Sequence, residues 1–451
     1  MDLLREFIQW AGLTRLELGF WSFPVLLGLI FLRAPIGLAM FLMGLLGWIF
    51  AMNGNPTPIL AKLKSETYTT FSNYSLTIIP MFLLMGQFAT LSGMSSALFK
   101  AAEGFLGHRR GGVAMASVGA CAGFGAICGS SLATAATMGR TALPELRRYG
   151  YSGGFSTATL AAGGTLGILI PPSVILVIYA IITEQNIAKL FLAAFIPGIL
   201  AAIGYVITIS IYVRLYPDAA GTRPAVPWPE RWKALAETWP VLAIFGLVVG
   251  GIYAGWFTPT EGAAIGAAGT GLVALMGGNL TWRILGEALM GTAKTTAMIF
   301  FIVLGASLYN NFLALSGAPQ WLADYVLGQG FTPILVLSVI LLFYLVFGCV
   351  MDSLSMILLT VPIFFPVISG LDFGMSAEHV AIWFGILVLI VVEVGLITPP
   401  VGMNLFIINA MDRDTPMTET YKAVLFFVGS DIVRVILLVA FPAITLFLIP
   451  V

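Results

Sequence analysis

The distribution of charge along this chain restricts its fold more than any other feature. Twelve stretches carry no Asp, Glu, Lys or Arg: 34–61, 67–99, 111–139, 149–183, 190–213, 238–260, 262–282, 295–323, 325–351, 353–371, 394–411 and 435–451. A hydrocarbon core of about 30 Å is crossed by about 20 helical residues. Inside lipid a segment must satisfy its own backbone groups, which leaves the α-helix as the spanning element. Composition agrees, with 21 basic and 21 acidic residues among 451 and 59% apolar types, whereas roughly a quarter of a soluble domain is charged. A water-soluble enzyme is excluded. The fold class is an all-α polytopic membrane protein whose surroundings are the lipid bilayer.

The balance of charge offers no electrostatic reason to expect nucleic acid as a partner. Cys121, Cys128 and Cys349 lie in apolar runs and make no disulfide framework. Asp2, Arg5, Glu6, Arg15 and Glu17 interrupt the first stretch, which therefore does not read as a cleavable signal peptide. Leu3, Leu4, Phe7, Ile8 and Ala11 recur at helical spacing and predict an interfacial amphipathic helix. The longest polar connection, 216–237, holds Pro217, Pro224, Pro227 and Pro229 and reads as a loop, with no soluble domain expected.

Short cytoplasmic loops collect Lys and Arg. The first dense cluster is His108-Arg109-Arg110 and the next is Arg140, Arg147 and Arg148. If both flanks are cytoplasmic, 111–139 enters and returns as a re-entrant helical hairpin with its tip at Cys128-Gly129-Ser130-Ser131. The competing reading is an ordinary crossing with one cluster on the far side. The segment contains seven glycines, with Ala and Ser filling the gaps. In 149–183 the pair Pro171-Pro172, after Gly163-Gly164 and Gly167, predicts a helix broken at mid-depth. Such a break is tolerated where protein or a hydrated cavity covers it.

A long internal repeat is present. Leu91-Ser92-Gly93 is matched by Leu315-Ser316-Gly317 at an offset of 224 positions. Ser130-Ser131-Leu132 faces Asp352-Ser353-Leu354 at 222, and the run from Gly167 to Ser173 faces Gly395 to Val401 at 228. The first Leu-Ser-Gly is followed by Lys100, His108, Arg109 and Arg110, the second only by Asp324 before Asp352. The copies are therefore expected to be inverted, with the first hairpin open to the cytoplasm and the second, near 333–369, open to the outside. Inverted repeats with discontinuous helices are the pattern of a secondary transporter whose site lies between the copies.

Helix ends inside a membrane leave N–H and C=O groups unpaired. The N-terminal ends attract anions, and freed carbonyls can surround a small hard cation such as Na⁺. Two Na⁺ sites are expected, one from Gly129, Ser130, Ser131, Gly164 and Gly167, the other from Gly348, Asp352, Ser353, Thr398 and Gly402. Ser130, Ser131, Thr165, Ser173, Ser353 and Asn404 are the candidates for holding substrate. Each small residue taken alone also reads as helix packing; their coincidence with both Pro-Pro pairs favours ligands. Asp352 is the only charge between Asp324 and Asp372, and reads either as a charge beside a bound ion or as a helix cap. Glu393 reads as a proton relay or as a group facing a hydrated interface, and Lys294 and Glu287 as snorkelling side chains.

No Gly-x-x-x-x-Gly-Lys-Ser/Thr pattern occurs, so nucleotide hydrolysis through a P-loop is not expected. His108 and His379 are the only histidines and both fall in expected loops, which disfavours an intramembrane enzyme. The run from Gly123 to Gly139 resembles the large membrane subunit of tripartite ATP-independent periplasmic (TRAP) transporters, the DctM-like family. So do Leu143-Pro144-Glu145 with Tyr149-Gly150-Tyr151, Gly163 to Ser173, Gly255-Trp256-Phe257-Thr258-Pro259-Thr260-Glu261, and Gly395 to Asn404. The likeness covers the chain from about Phe20 onward. It implies an elevator-type secondary transporter in a bacterial inner membrane, driven by a Na⁺ gradient. It also implies two partners, a small membrane subunit and a soluble periplasmic binding protein that delivers an organic acid. Many family members carry an acidic residue at the position of Thr134. Residues 1–93 and 214–316, with uninterrupted crossings, are expected to form the scaffold, and 94–213 and 317–451 the moving transport unit. A self-sufficient Na⁺- or H⁺-coupled carboxylate carrier is the alternative.

Overall fold

The computed structural model describes residues 12–278 and 280–449, and the amphipathic helix expected from Leu3 to Ala11 lies outside them. Among the described residues the chain is helical, without strands. Helices α1 (Arg15–Phe31), α2 (Ile36–Ala51) and α3 (Thr57–Phe71) lead through a 3₁₀ turn, Tyr74–Thr77, into α4 (Ile78–Leu91) and α5 (Met94–Leu106). Next come α6 (Gly112–Cys128), α7 (Ser131–Arg148), α8 (Gly153–Leu169), α9 (Val174–Thr183) and the long α10 (Ile187–Leu215). The second half runs through α11 (Trp228–Ala236), α12 (Trp239–Tyr253), α13 (Pro259–Met276), α14 (Trp282–Ser316) and α15 (Ala318–Gly328). It continues with α16 (Pro333–Gly348), α17 (Ser353–Ser369), α18 (Ala377–Gly395), α19 (Met403–Met411), α20 (Met417–Ala440) and α21 (Pro442–Leu446).

Five helical segments among the described residues are long and apolar enough to cross a bilayer, or up to seven if each bent pair is one span. Trp228, Trp239, Trp256 and Trp282 are exposed at or just beyond helix ends, and Trp232 is exposed on the short α11; part-polar rings of this kind suit the two membrane–water interfaces. The expected break at Pro171-Pro172 separates α8 from α9, whose axes differ by 45°. Its counterpart, 396–402, separates α18 from α19, and both Pro-Pro peptide bonds are cis. Gly93 and Gly317, the ends of the repeated Leu-Ser-Gly, both adopt positive φ (79° and 74°) and cap the helices that follow. Glycine takes that conformation without a steric penalty, so the repeat marks the same turn twice.

The connection 216–237 differs from the expected loop. Its second half is α11, for which Pro227 is the N-cap and Pro229 lies in the first turn. Proline is accepted there because first-turn N–H groups have no helical acceptor. The same helix bends by 45° into α12, so the 214–316 segment is not free of breaks.

The chain forms two compact units. One comprises residues up to Thr77 with 293–340 and 354–381; the other comprises 78–292, 341–353 and 382–451. In the first, Gly44 of α2 lies against α14 so closely that a Cβ would stand 2.6 Å from Tyr309 N, and Ser22 hydrogen-bonds the Tyr309 hydroxyl at 2.9 Å. Without a hydrophobic force between helices in lipid, such small-residue contact lets the backbones pack. The second unit holds both hairpin tips and both broken helices.

Candidate functional site

Each hairpin tip is a short turn between two helices. In the first, Gly129 adopts φ 63° after α6, and Ser130 caps α7 by accepting from Ala133 N at 3.4 Å. In the second, 349–352 separate α16 from α17, and Asp352 immediately precedes the first residue of α17, Ser353. That position is compatible with the capping reading of Asp352.

Each tip crosses its own broken helix with glycine on glycine. A Cβ on Gly125 would lie 2.6 Å from Gly167 Cα, and one on Gly395 would lie 2.5 Å from Gly348 C. Gly125 and Gly348 are 223 positions apart and Gly167 and Gly395 are 228 apart, close to the offsets found in the sequence. Around the first, a Cβ on Gly167 would stand 2.8 Å from Ser130 O, one on Gly164 would stand 3.2 Å from Ser131 O, and one on Gly129 would stand 3.2 Å from Pro172 O. Around the second, Gly402 N donates to Cys349 O at 3.2 Å, and Tyr421 donates its hydroxyl to Pro400 O at 2.6 Å. The residues of each expected cation site thus lie at the same tip-and-break crossing.

The two tips share a partner on α18. Ser131 Oγ donates to Glu393 Oε2, and Ser353 Oγ donates to Glu393 Oε1 at 2.6 Å. Glu393 is 0% exposed. Both of its oxygens accept a serine hydroxyl, and no Lys, Arg or His among the described residues pairs with it. The donors are the pair that the 222-residue offset identifies as equivalent. A single carboxylate therefore ties together the first residues of both return helices, and it does not face a hydrated interface.

Other expected site residues have settled partners. Ser173 caps α9 by accepting from Leu176 N at 3.4 Å, and Thr398 Oγ1 donates to Val394 O at 2.6 Å. Asn404 donates through Nδ2 to Ala161 O at 3.3 Å while its Oδ1 stays buried without a hydrogen-bond partner. Thr134, buried beside Gly167, also has an unpartnered hydroxyl oxygen. Neutral oxygens and backbone carbonyls are the ligand type that a hard cation takes. Thr165 Oγ1 lies 3.0 Å from the Tyr205 hydroxyl, which donates to Asp431 Oδ2 at 2.8 Å. This link was not anticipated, although Asp431 and Arg434, ionisable residues within the apolar sequence of α20, were the available signal.

Residues 23–444 match the family profile of the tripartite ATP-independent periplasmic transporter, DctM component. The chain belongs to the DctM family. It is similar to the C4-dicarboxylate TRAP transporter large permease protein DctM of Pseudomonas aeruginosa, with 36% identity covering 90% of this chain and 92% of that protein. The sialic acid TRAP transporter large permease protein SiaM of Vibrio cholerae is 31% identical over 94% of this chain and 96% of its own. The ectoine TRAP transporter large permease protein TeaC of Halomonas elongata is 29% identical over 94% and 97%. Among solved structures, the YdaH transporter of Alcanivorax borkumensis shares the fold with a TM-score of 0.55 at 13% identity, covering 86% of this chain and 89% of that one. The chain is thus a large permease subunit of a TRAP transporter and not an enzyme.

Proposed function

We propose that this DctM-family subunit drives uptake of an organic acid with a Na⁺ gradient, receiving its substrate from a periplasmic binding protein and working with a small membrane subunit in the bacterial inner membrane. The observation that supports this reading is the convergence of both hairpin tips on the buried Glu393, which lacks a basic partner. A buried carboxylate without counter-charge is costly, and a cation beside the tips would offset it. Gly129, Ser130, Ser131, Gly164 and Gly167 would hold one Na⁺ and Gly348, Asp352, Ser353, Thr398 and Gly402 another, mostly through neutral oxygens. Na⁺ would supply positive charge at the tips; Ser130, Ser131, Thr165, Ser173, Ser353 and Asn404 would line the substrate's carboxylate, with tip N–H groups as donors while Glu393 holds the Ser131 and Ser353 protons. In this elevator reading 94–213 and 317–451 move against 1–93 and 214–316. The relatives' C4-dicarboxylate, sialic acid and ectoine define the substrate range to test.

The chain should be reconstituted in proteoliposomes with its membrane partner and a binding protein loaded with radiolabelled succinate, sialic acid or ectoine. Uptake is expected only with both partners and an inward Na⁺ gradient. Ser130→Ala and Thr398→Ala should raise the half-maximal Na⁺ concentration about three- to tenfold, the effect of losing one neutral oxygen contact. Vigorous uptake by the chain alone would instead establish a stand-alone carrier, and uptake indifferent to Na⁺ would remove the cation sites.

The inverted arrangement has its own test. Arg109 and Arg140, both exposed, flank the first hairpin, and cysteines placed at either should react with an impermeant reagent from the cytoplasmic side. Labelling from opposite sides would make 111–139 an ordinary crossing.

A further inference from the structure

One buried ion pair lies outside the proposed cation sites yet reaches one of them through hydrogen bonds. Asp431 and Arg434 of α20 are 1% and 7% exposed, with Arg434 Nη2 2.7 Å from Asp431 Oδ1. Taking two charges out of water offsets much of their attraction, so such a pair is a weak source of stability. Ionisable side chains within an apolar membrane helix point to a functional role instead. Arg434 Nε and Nη1 have no hydrogen-bond partner. The bond that leads away from the pair is the one Asp431 Oδ2 accepts from the Tyr205 hydroxyl of α10 at 2.8 Å.

With its proton given to Asp431, the Tyr205 oxygen faces Thr165 Oγ1 of α8 at 3.0 Å as an acceptor. Thr165 also donates to Ala162 O at 2.7 Å, so its one proton is shared between two acceptors. Tyr205, Thr165 and Asp431 are at most 1% exposed, and bulk water offers none of them a substitute partner. The Tyr205 ring meets Phe427 of α20 edge-on at 5.6 Å, one helical turn before Asp431. Thr165 stands between Gly164 and Gly167, the glycines that lie against Ser131 O and Ser130 O. Two turns before Tyr205 on the same face of α10, a Cβ on Gly198 would stand 3.0 Å from Leu169 O. Helix α10 therefore meets the last turns of α8 at two points, Leu169 and Thr165, and α20 fixes the second through Tyr205. All three helices belong to one compact unit.

We propose that Tyr205 and Asp431 are positioning residues for the first tip-and-break crossing. They fix Thr165, and with it the register in which Gly164 and Gly167 lie against the carbonyls of Ser130 and Ser131. Arg434 holds the Asp431 carboxylate that anchors this chain of bonds. The effect on uptake rests on the reading of that crossing as a Na⁺ site. A second contact between the same helices serves as the comparison: Thr157 Oγ1 of α8 lies 2.8 Å from Thr420 Oγ1 of α20, about 12 Å along α8 from Thr165 and away from the break.

Two readouts test this on the full chain: hydrogen exchange of the amides of 163–170 in Na⁺-free detergent, and the Na⁺ dependence of uptake in proteoliposomes with both partners. Tyr205→Phe keeps the ring and removes the hydroxyl. It should speed exchange at the end of α8 and raise the half-maximal Na⁺ concentration about three- to tenfold, the effect of one lost hydrogen bond, with the rate at saturating Na⁺ little changed. Thr157→Val removes a buried hydroxyl between α8 and α20 and should lower the melting temperature without either effect. Asp431→Asn with Arg434→Gln keeps an acceptor for Tyr205 and should respond to Na⁺ as wild type does. Asp431→Leu with Arg434→Met removes that acceptor and should shift the response in the direction of Tyr205→Phe, while melting no lower than the first pair, since apolar residues of similar volume replace buried ion pairs without loss of stability. Tyr205→Phe and Thr157→Val behaving alike in both readouts overturns the proposal, and equal behaviour of the two double variants overturns the part of Asp431. Wild-type uptake indifferent to Na⁺ is failure of the transport reading alone; exchange, measured without Na⁺, then decides, and unchanged exchange in Tyr205→Phe overturns the positioning role.

Discussion

Uptake by Glu393→Ala should fall by about two to four orders of magnitude. The substitution removes the acceptor for Ser131 and for Ser353, and hydrogen bonds to a charged group contribute about 1.5–3 kcal/mol each. Together they amount to about 3–6 kcal/mol, with about 1.4 kcal/mol per tenfold. Initial uptake rates in proteoliposomes measure the effect, and a melting curve separates it from misfolding. Ser131→Ala and Ser353→Ala should each show part of the loss, and adding either to Glu393→Ala should change little, because all three act through one carboxylate. Glu393→Gln provides the contrast, since its amide can accept from one serine and donate to the other. It should keep the tips together and the protein stable while weakening the response to Na⁺. Uptake by Glu393→Ala within about threefold of wild type, well under the two bonds' worth, would show that the carboxylate does not join the tips.

A methyl group at either glycine crossing should be nearly as damaging. The Cβ of Gly395→Ala would stand 2.5 Å from Gly348 C and 2.7 Å from Gly348 Cα, and that of Gly125→Ala 2.6 Å from Gly167 Cα. These neighbours are backbone, so the obstruction cannot be relieved by turning a side chain; the tip must lift from the broken helix. Overpacking of this kind costs about 1–3 kcal/mol, and it falls where the tips and breaks must keep register. Both variants should melt at a lower temperature and lose most uptake. Gly119→Ala is the control on the same helix as Gly125, because its Cβ would meet nothing within 4 Å. It should be neutral or stabilising by up to about 1 kcal/mol, the helix-propensity gain of alanine over glycine. Equal behaviour of Gly125→Ala and Gly119→Ala would remove the close crossing as the cause.

The membrane class, the two hairpins and both helix breaks were legible in the sequence. Each is set by a local property: uncharged runs long enough to span, glycine at a turn of positive φ, and Pro-Pro where a helix cannot continue. The three offsets near 224 positions also showed that the halves are copies, which correctly paired Ser131 with Ser353 and Gly167 with Gly395. Local signals misled where proline is tolerated for a reason that depends on register. Pro227 and Pro229 read as loop residues but stand at the start of α11, where their missing N–H groups cost nothing.

Only the tertiary structure decided which side chains meet. Glu393 lies 262 positions from Ser131 and 40 from Ser353, and no periodicity or turn rule connects residues that far apart. The same holds for Tyr205 and Asp431, separated by 226 positions. Chain-local physics determines where a helix starts, bends and ends, because those choices depend on neighbouring backbone donors and acceptors. Pairing of buried polar groups depends on how the helices pack, since in an apolar interior a polar atom takes whichever partner that packing brings within reach.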